Sequence, residues 1–247
     1  MTAQTFPSRH RPKAILFDLD DTILTYNAAG QQAWRAVCEK YAAVINGGNA
    51  PALHEEIRAQ SNWFWSDPQR DRDGRRHMIT ARTTIITAVL QAHGCTDVEL
   101  AATMAHLMTQ RQLEYIQAYP GAIDMLHHLH AAGIKLGMVT NGDSTLQHRK
   151  IDQFHLRPLF SSILIEGDFG IGKPDPRAFT HVLDELRLSP DEAWMVGDRL
   201  DCDIAPARKL GIYTVWHDYR RNGLPENVDT PPHRIITSPA ELTEGIM

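Results

Sequence analysis

Asp18 and Asp20 stand two residues apart, directly after the apolar run Ala14-Ile15-Leu16-Phe17. In an extended chain, side chains two apart point to the same side. Two carboxylates this close repel unless a cation lies between them or one keeps a proton. Both outcomes are chemically useful. A carboxylate held by a divalent ion can attack phosphorus, and a neighbour that keeps a proton can donate it to a leaving oxygen. Asp198 follows Gly197 after another apolar run and can supply a further ligand. An all-oxygen shell of carboxylates, a backbone carbonyl and waters suits magnesium, Mg2+. Thr140, with Asn141 beside it, and Lys173 can hold phosphoryl oxygens, the lysine cancelling charge as phosphorus is attacked.

These residues need elements to place them. Lys13 to Phe17 reads as a short buried strand. From about Asn27 to Gln117 the pattern is helical only. Trp34, Val37, Tyr41 and Val44 recur at helical spacing, as do Leu53, Ile57 and Phe64, then Met78, Ile85 and Val89, then Leu100, Met104 and Leu107. From Tyr119 onward, helices and strands alternate. Strands are expected at Ile134 to Val139, Ile163 to Ile165, Ala193 to Val196 and Ile212 to Trp216, with an edge strand at Arg234 to Thr237. Asp175-Pro176 supplies an N-cap and a first-turn proline for a helix to Leu186. A helix should also run from the strand ending at Gly197-Asp198 to Leu210, with Asp201 as its cap. Ser238-Pro239-Ala240-Glu241 reads as a capping box for a last helix. Alternation of this kind implies an α/β fold, a parallel Rossmann-like sheet core. The helical block is most simply an inserted all-helical cap subdomain. Residues 1–25 and 118–247 would form the core and residues 26–117 the cap. In such sheets, ligands bind beyond the carboxyl ends of the strands, where Asp18, Thr140 and Asp198 fall.

The ordered set Asp18-x-Asp20-x-Thr22, Thr140-Asn141-Gly142, Lys173-Pro174 and Gly197-Asp198-x-x-x-x-Asp203 resembles the haloacid dehalogenase superfamily. The wording Asp20-Asp21-Thr22 and Thr140-Asn141-Gly142-Asp143 is most similar to its N-acylneuraminate-9-phosphatase and pyrimidine 5'-nucleotidase group. The resemblance implies a magnesium-dependent phosphomonoesterase acting on a small phosphate ester, a sugar phosphate or nucleotide, through an aspartyl-phosphate. It implies that Asp18 is nucleophile and metal ligand. Asp20 would be general acid and then base, its carbonyl reaching the metal. Thr140 and Asn141 would bind phosphate, Lys173 would neutralise it, and Asp198 would be a further metal ligand. Thr22 would support the site, and Asp203 would position Lys173 or stand in the outer metal shell. Dehalogenases of the superfamily lack an acid at the place of Asp20, so its presence argues for phosphoryl chemistry. Arg199 departs from the small polar residue often found after Gly197-Asp198. A phosphomutase of the same fold, or a non-enzymatic phosphoacceptor, are the alternatives.

Specificity would then come from the cap. Trp63-Phe64-Trp65 is followed by Arg70, Arg72, Arg75 and Arg76, and aromatics beside arginines suit an anionic substrate. The same residues also fit a packed cap core followed by a solvated basic helix start. Arg199 and the loop after Thr22 are the other places to look.

Other features narrow the class. Gly167 to Lys173 matches most of a P-loop, but Pro174 stands where Ser or Thr is needed, so a nucleotide-hydrolysing loop is rejected. A formal charge of -5 argues against a nucleic-acid partner. Apolar residues are 43% of the chain, enough for a core without disulfide or structural metal. Cys38, Cys95 and Cys202 are far apart and odd in number, as in reduced cytoplasmic proteins. His127, His128 and His130 lack the spacing of a helical metal site and read as a partly solvated helix. The first thirteen residues lack an apolar leader, and no run is long enough to span a bilayer. A cytoplasmic protein is expected; the sequence leaves its oligomeric state open.

Overall fold

The computed structural model describes residues 11–244. Most of the N-terminal segment read above as lacking a leader lies outside the described residues, as do the ends of the expected core boundaries. Six parallel strands form one sheet in the order β3-β2-β1-β4-β5-β6: β1 Ala14–Phe17, β2 Lys135–Thr140, β3 Ser162–Ile165, β4 Ala193–Gly197, β5 Tyr213–His217 and β6 Arg234–Ile236. Each strand falls within a residue or so of its sequence expectation. Every residue of β1 is buried. That fits a central strand covered on both faces, whose apolar run cannot alternate. β1 pairs Leu16 with Gly137 on one side and with Met195 on the other. Gly137 is needed there: a Cβ would meet Leu16 Cδ2 at 2.6 Å and Val182 Cγ1 at 2.7 Å.

Among the described residues ten α-helices accompany the sheet, and five of them lie between β1 and the rest: α1 Tyr26–Ile45, α2 Ala50–Trp65, α3 Pro68–Arg76, α4 Met78–Ala92 and α5 Val98–Tyr115. Their apolar stripes close two cores, one around Val37, Ile86 and Met104, the other around Cys38, Ile57 and Ile85. The chain enters and leaves this block at adjacent points. Leu24 bridges Ala118 in antiparallel fashion, and Thr25 N donates to Gln117 O at 2.8 Å.

Then come α6 Ala122–Ala131, α7 Ser144–Gln153, α8 Glu166–Phe169, α9 Pro176–Leu186 and α10 Ala205–Lys209. The Asp175 side chain caps α9 by accepting from Arg177 N, and His127, His128 and His130 lie exposed on α6, as expected.

Three local expectations are corrected. Val44 is 73% exposed. The buried face of α1 turns from α5, at Ala33 and Val37, to α2, at Cys38 and Ala42, and leaves Val44 outside. The last helix is only a 3-10 turn, Pro239–Thr243, and Glu241 accepts from Thr237 rather than closing a box with Ser238. The segment after Asp198 begins as one wide turn, Leu200–Ile204, before α10. Asp201 does not cap it; it pairs with Arg199 at 2.7 Å, and Asp203 accepts from Arg199 N at 2.9 Å instead.

Candidate active site

The chain order along the sheet reverses beside β1, between its neighbours β2 and β4. The crevice at such a switch point, beyond the carboxyl ends of the strands, is where open α/β sheets bind ligands. Asp18 is the first residue past β1 and stays in the ladder by donating its N–H to Val196 O at 2.9 Å. The chain then turns sharply. Ile23 N and Leu24 N both donate to Leu19 O at 3.0 Å, and Asp21 takes φ 61°. A short polar side chain tolerates that left-handed value better than a branched one.

Four of the expected residues meet around Asp18. Its Oδ1 accepts from Lys173 Nζ at 2.5 Å, and its Oδ2 accepts from Thr22 Oγ1 at 3.2 Å. Lys173 also pairs with Asp203 at 2.6 Å. Burial draws the Lys173 pKa down, but Asp18 and Asp203 more than reverse this, and it is held above its ordinary value. Carboxylate oxygens of Asp18, Asp198 and Asp203 come within 4.8 Å of one another. Burial, reinforced by the Asp18 and Asp203 charges, pushes Asp198 well above the usual carboxylate range. Burial raises Asp203 also, against the pull of Lys173. Three carboxylates sharing one lysine leave the cluster short of positive charge. Its donors are all oxygen: burial pushes the neighbouring Cys202 up to about 12, so it remains a thiol. A small hard dication fits this donor set.

Asp203 is held tightly. A Cβ on residue 197 would lie 2.3 Å from its Oδ2, so glycine is required where β4 ends. The Gly-Asp pair seen in the sequence therefore has a steric cause as well as a chemical one.

Thr140, at the end of β2, is fully buried, and its hydroxyl accepts from Gln147 Nε2 at 2.5 Å. The Asn141 side chain is committed to the backbone of Lys173. Nδ2 donates to Lys173 O, and Oδ1 accepts from Lys173 N, both at 2.7 Å. Asn141 thus fixes the segment that carries the lysine. Asp20 faces Lys150, which donates to both carboxylate oxygens, at 2.7 and 2.5 Å.

Three residues here carried no signal in the sequence reading: Gln147, Lys150 and Glu166. Gln147 and Lys150 lie three apart on α7 and are both about 2% exposed. Polar residues on the same helix face as buried Ile151 were the available sign. Glu166, at the start of α8, accepts from Gly142 N at 3.1 Å and from Arg75 at 2.7 Å through both oxygens.

The arginines expected at the substrate separate. Arg70 stacks on Trp63, 4.0 Å from the ring centre to the guanidinium, and donates to the Trp63 and Phe64 carbonyls. Arg72 reaches Gln69 at 3.4 Å. Arg72 and Arg76 line a cleft with Arg75, Glu166, Lys173 and Pro174. Arg75 and Arg199 line the cavity over the acidic cluster, about 230 Å³, together with Asp18, Asp20, Tyr26 and Lys173.

Fold and cluster together define a class. Residues 12–211 match the haloacid dehalogenase-like hydrolase family, and the chain belongs to it. A glyceraldehyde 3-phosphate phosphatase from Methanopyrus kandleri is 30% identical over 245 residues, covering 95% of this chain and 97% of its own. The N-acylneuraminate-9-phosphatase of Rattus norvegicus is 25% identical over 244 residues, 94% and 92% of the two chains. Among solved structures, YfnB of Bacillus subtilis, bound to magnesium, superposes with a TM-score of 0.73 at 24% identity, over 94% of this chain and 97% of its own.

Proposed function

We propose that the protein is a magnesium-dependent phosphomonoesterase acting on a small phosphorylated metabolite through an aspartyl-phosphate on Asp18. The observation that carries this is the placement of Asp18 between Lys173 and Thr22, in a cluster of acids that is short of positive charge. The family and the phosphatases among its relatives support the same reading.

In this reading Asp18, Asp198 and the Asp20 carbonyl would hold Mg2+, with Asp203 behind them. Bound there, the ion offsets the charge that the acids and the phosphoryl group bring together. Thr140 and Lys173 bind phosphoryl oxygens. Asp18 attacks phosphorus, the bond to the leaving oxygen breaks, and Asp20 gives that oxygen its proton. Asp20 then takes a proton from water, which attacks phosphorus and releases phosphate and a free Asp18. Asp20 leaves Lys150 to donate its proton. Residues 26–117 act as a cover over the catalytic residues of 1–25 and 118–247, excluding water while the intermediate stands.

The test is phosphate release with magnesium across sugar phosphates, nucleotides and phosphorylated acids, without any bisphosphate activator. Release from at least one of them is expected. No release from any, or release only when a bisphosphate is added, would remove the reading.

A further inference from the structure

Arg82 is a buried cation for which the structure supplies no anion. It sits in the middle of α4, on the face that carries Ile85, Ile86 and Val89, and is 5% exposed. Its partners are neutral: Thr109 Oγ1 at 2.5 Å, Gln112 Oε1 and the Tyr26 hydroxyl at 3.5 Å. Among the described residues no carboxylate pairs with it, and burial alone pulls its pKa below the ordinary value. A charged side chain this deep is almost always paired, because an uncompensated buried ion is strongly destabilising. The other arginines beside it do not share this state. Arg58, Arg75 and Arg199 pair with Glu55, Glu166 and Asp201.

The position of Arg82 is not that of a sealed core residue. It lines a cavity of about 380 Å³ among the cap helices, with Trp34, His54 and Trp65 on the walls. It lines a second cavity that reaches Asp20, Asn141 and Lys150. Tyr26 is common to both cavities and to the space over Asp18. Its ring lies 4.6 Å under Lys150 Nζ, whose ammonium holds Asp20, while its hydroxyl faces Arg82. One tyrosine therefore spans from the catalytic acid to the unpaired guanidinium.

We propose that Arg82 binds a second anionic group of the substrate, a carboxylate or a second phosphate, so that the preferred substrates are small phosphate esters with a negative charge at the end remote from the reacting phosphoryl group. The proposal rests on the phosphomonoesterase reading. A planar guanidinium matches the two oxygens of such a group. Thr109 and Gln112 hold the fork in place before the ligand arrives, which lowers the ordering cost of binding.

The test uses substrate pairs matched except for the distal charge. 3-Phosphoglycerate against glyceraldehyde 3-phosphate reads the carboxylate, and glucose 1,6-bisphosphate against glucose 6-phosphate reads the second phosphate. The wild-type protein should favour the charged member of at least one pair by ten-fold or more in kcat/KM. Arg82→Gln, which keeps a neutral hydrogen-bonding group toward Thr109, should erase that preference through KM. It should leave hydrolysis of p-nitrophenyl phosphate within about two-fold. Arg82→Lys keeps the charge without the fork and should retain part of the preference. No preference in the wild type, or a preference that survives in folded Arg82→Gln, overturns the proposal. If Arg82→Gln does not fold, the wild-type comparison and Arg82→Lys decide. Calorimetric binding of the same pairs to Asp18→Asn reads the distal site without turnover. Failure of the hydrolytic reading and failure of this proposal therefore appear separately.

Discussion

Lys150 and Asp20 meet at 2.5 Å across 130 residues of sequence, the lysine buried from α7 and the acid from the turn after β1. The contact joins the proposed acid–base residue to the helix that also carries Gln147, itself bonded to Thr140 and to Asp20. Lys150→Met should therefore lower kcat by about a hundred-fold on every substrate, the lower end of what a well-placed proton-transfer group contributes. KM should change little, and the pH–rate profile should move. A pH profile superimposable on that of the wild type would show that Lys150 does not govern Asp20.

Asp18→Asn removes the proposed nucleophile and one acid from a crowded cluster. Turnover should fall by at least 10³-fold, about 4 kcal/mol of barrier. Lys173 keeps Asp203 as a partner, while Asp198 loses a repelling neighbour. Without metal, the variant should melt no lower than the wild type, because active sites hold charge arrangements that cost stability. Calorimetric melting in chelator checks this; a lower midpoint would mean that Asp18 is a net structural support.

Metal removal should abolish activity and magnesium should restore it, whereas calcium, with its larger and looser shell, should not. Magnesium at about a hundred times its dissociation constant should raise stability by about 2.7 kcal/mol. Asp198→Asn should shrink that shift. Full activity after exhaustive chelation would take the ion out of the mechanism.

Arg75 of α3 and Glu166 of α8 form a two-pronged ion pair between the helical block and the sheet side. Glu166 is 2% exposed. Arg75→Ala leaves that acid buried with only Gly142 N and should cost about 1–3 kcal/mol. Pairing it with Glu166→Gln should recover part of the loss. Arg70→Ala, by contrast, removes a stack on Trp63 and should leave kcat/KM within two-fold. Thermal denaturation and steady-state kinetics of the three variants separate these outcomes.

The legible part of the site lay at strand ends. Asp18, Thr140 and Asp198 each follow an apolar run that reads as a buried strand, so their position on one rim follows from fold class alone. Lys173 was readable only as part of a set, since a lone lysine before proline has no distinct signal. Gln147 and Lys150 were hidden because a buried polar residue on a helix looks, in sequence, like a solvated one. Arg82 was hidden for the opposite reason: it interrupts an apolar stripe, and a single interruption does not alter the helical period. Val44 fitted that period and is exposed nonetheless, because which helix α1 packs against changes along its length.

The two strands of chain that pass between sheet and helices run side by side, Leu24 against Ala118 and Thr25 against Gln117. The core thus clasps the base of a ninety-residue excursion with a few main-chain bonds, and loop-closure entropy grows only slowly with the length beyond such a clasp. Helices of other number or shape can be grafted between these points without disturbing Asp18, six residues upstream of the first. The rim that carries Asp18 and the helical block are thereby free to diverge at different rates, since the chain passes between them only at this stem and the Arg75–Glu166 pair is a side-chain contact that either partner can lose.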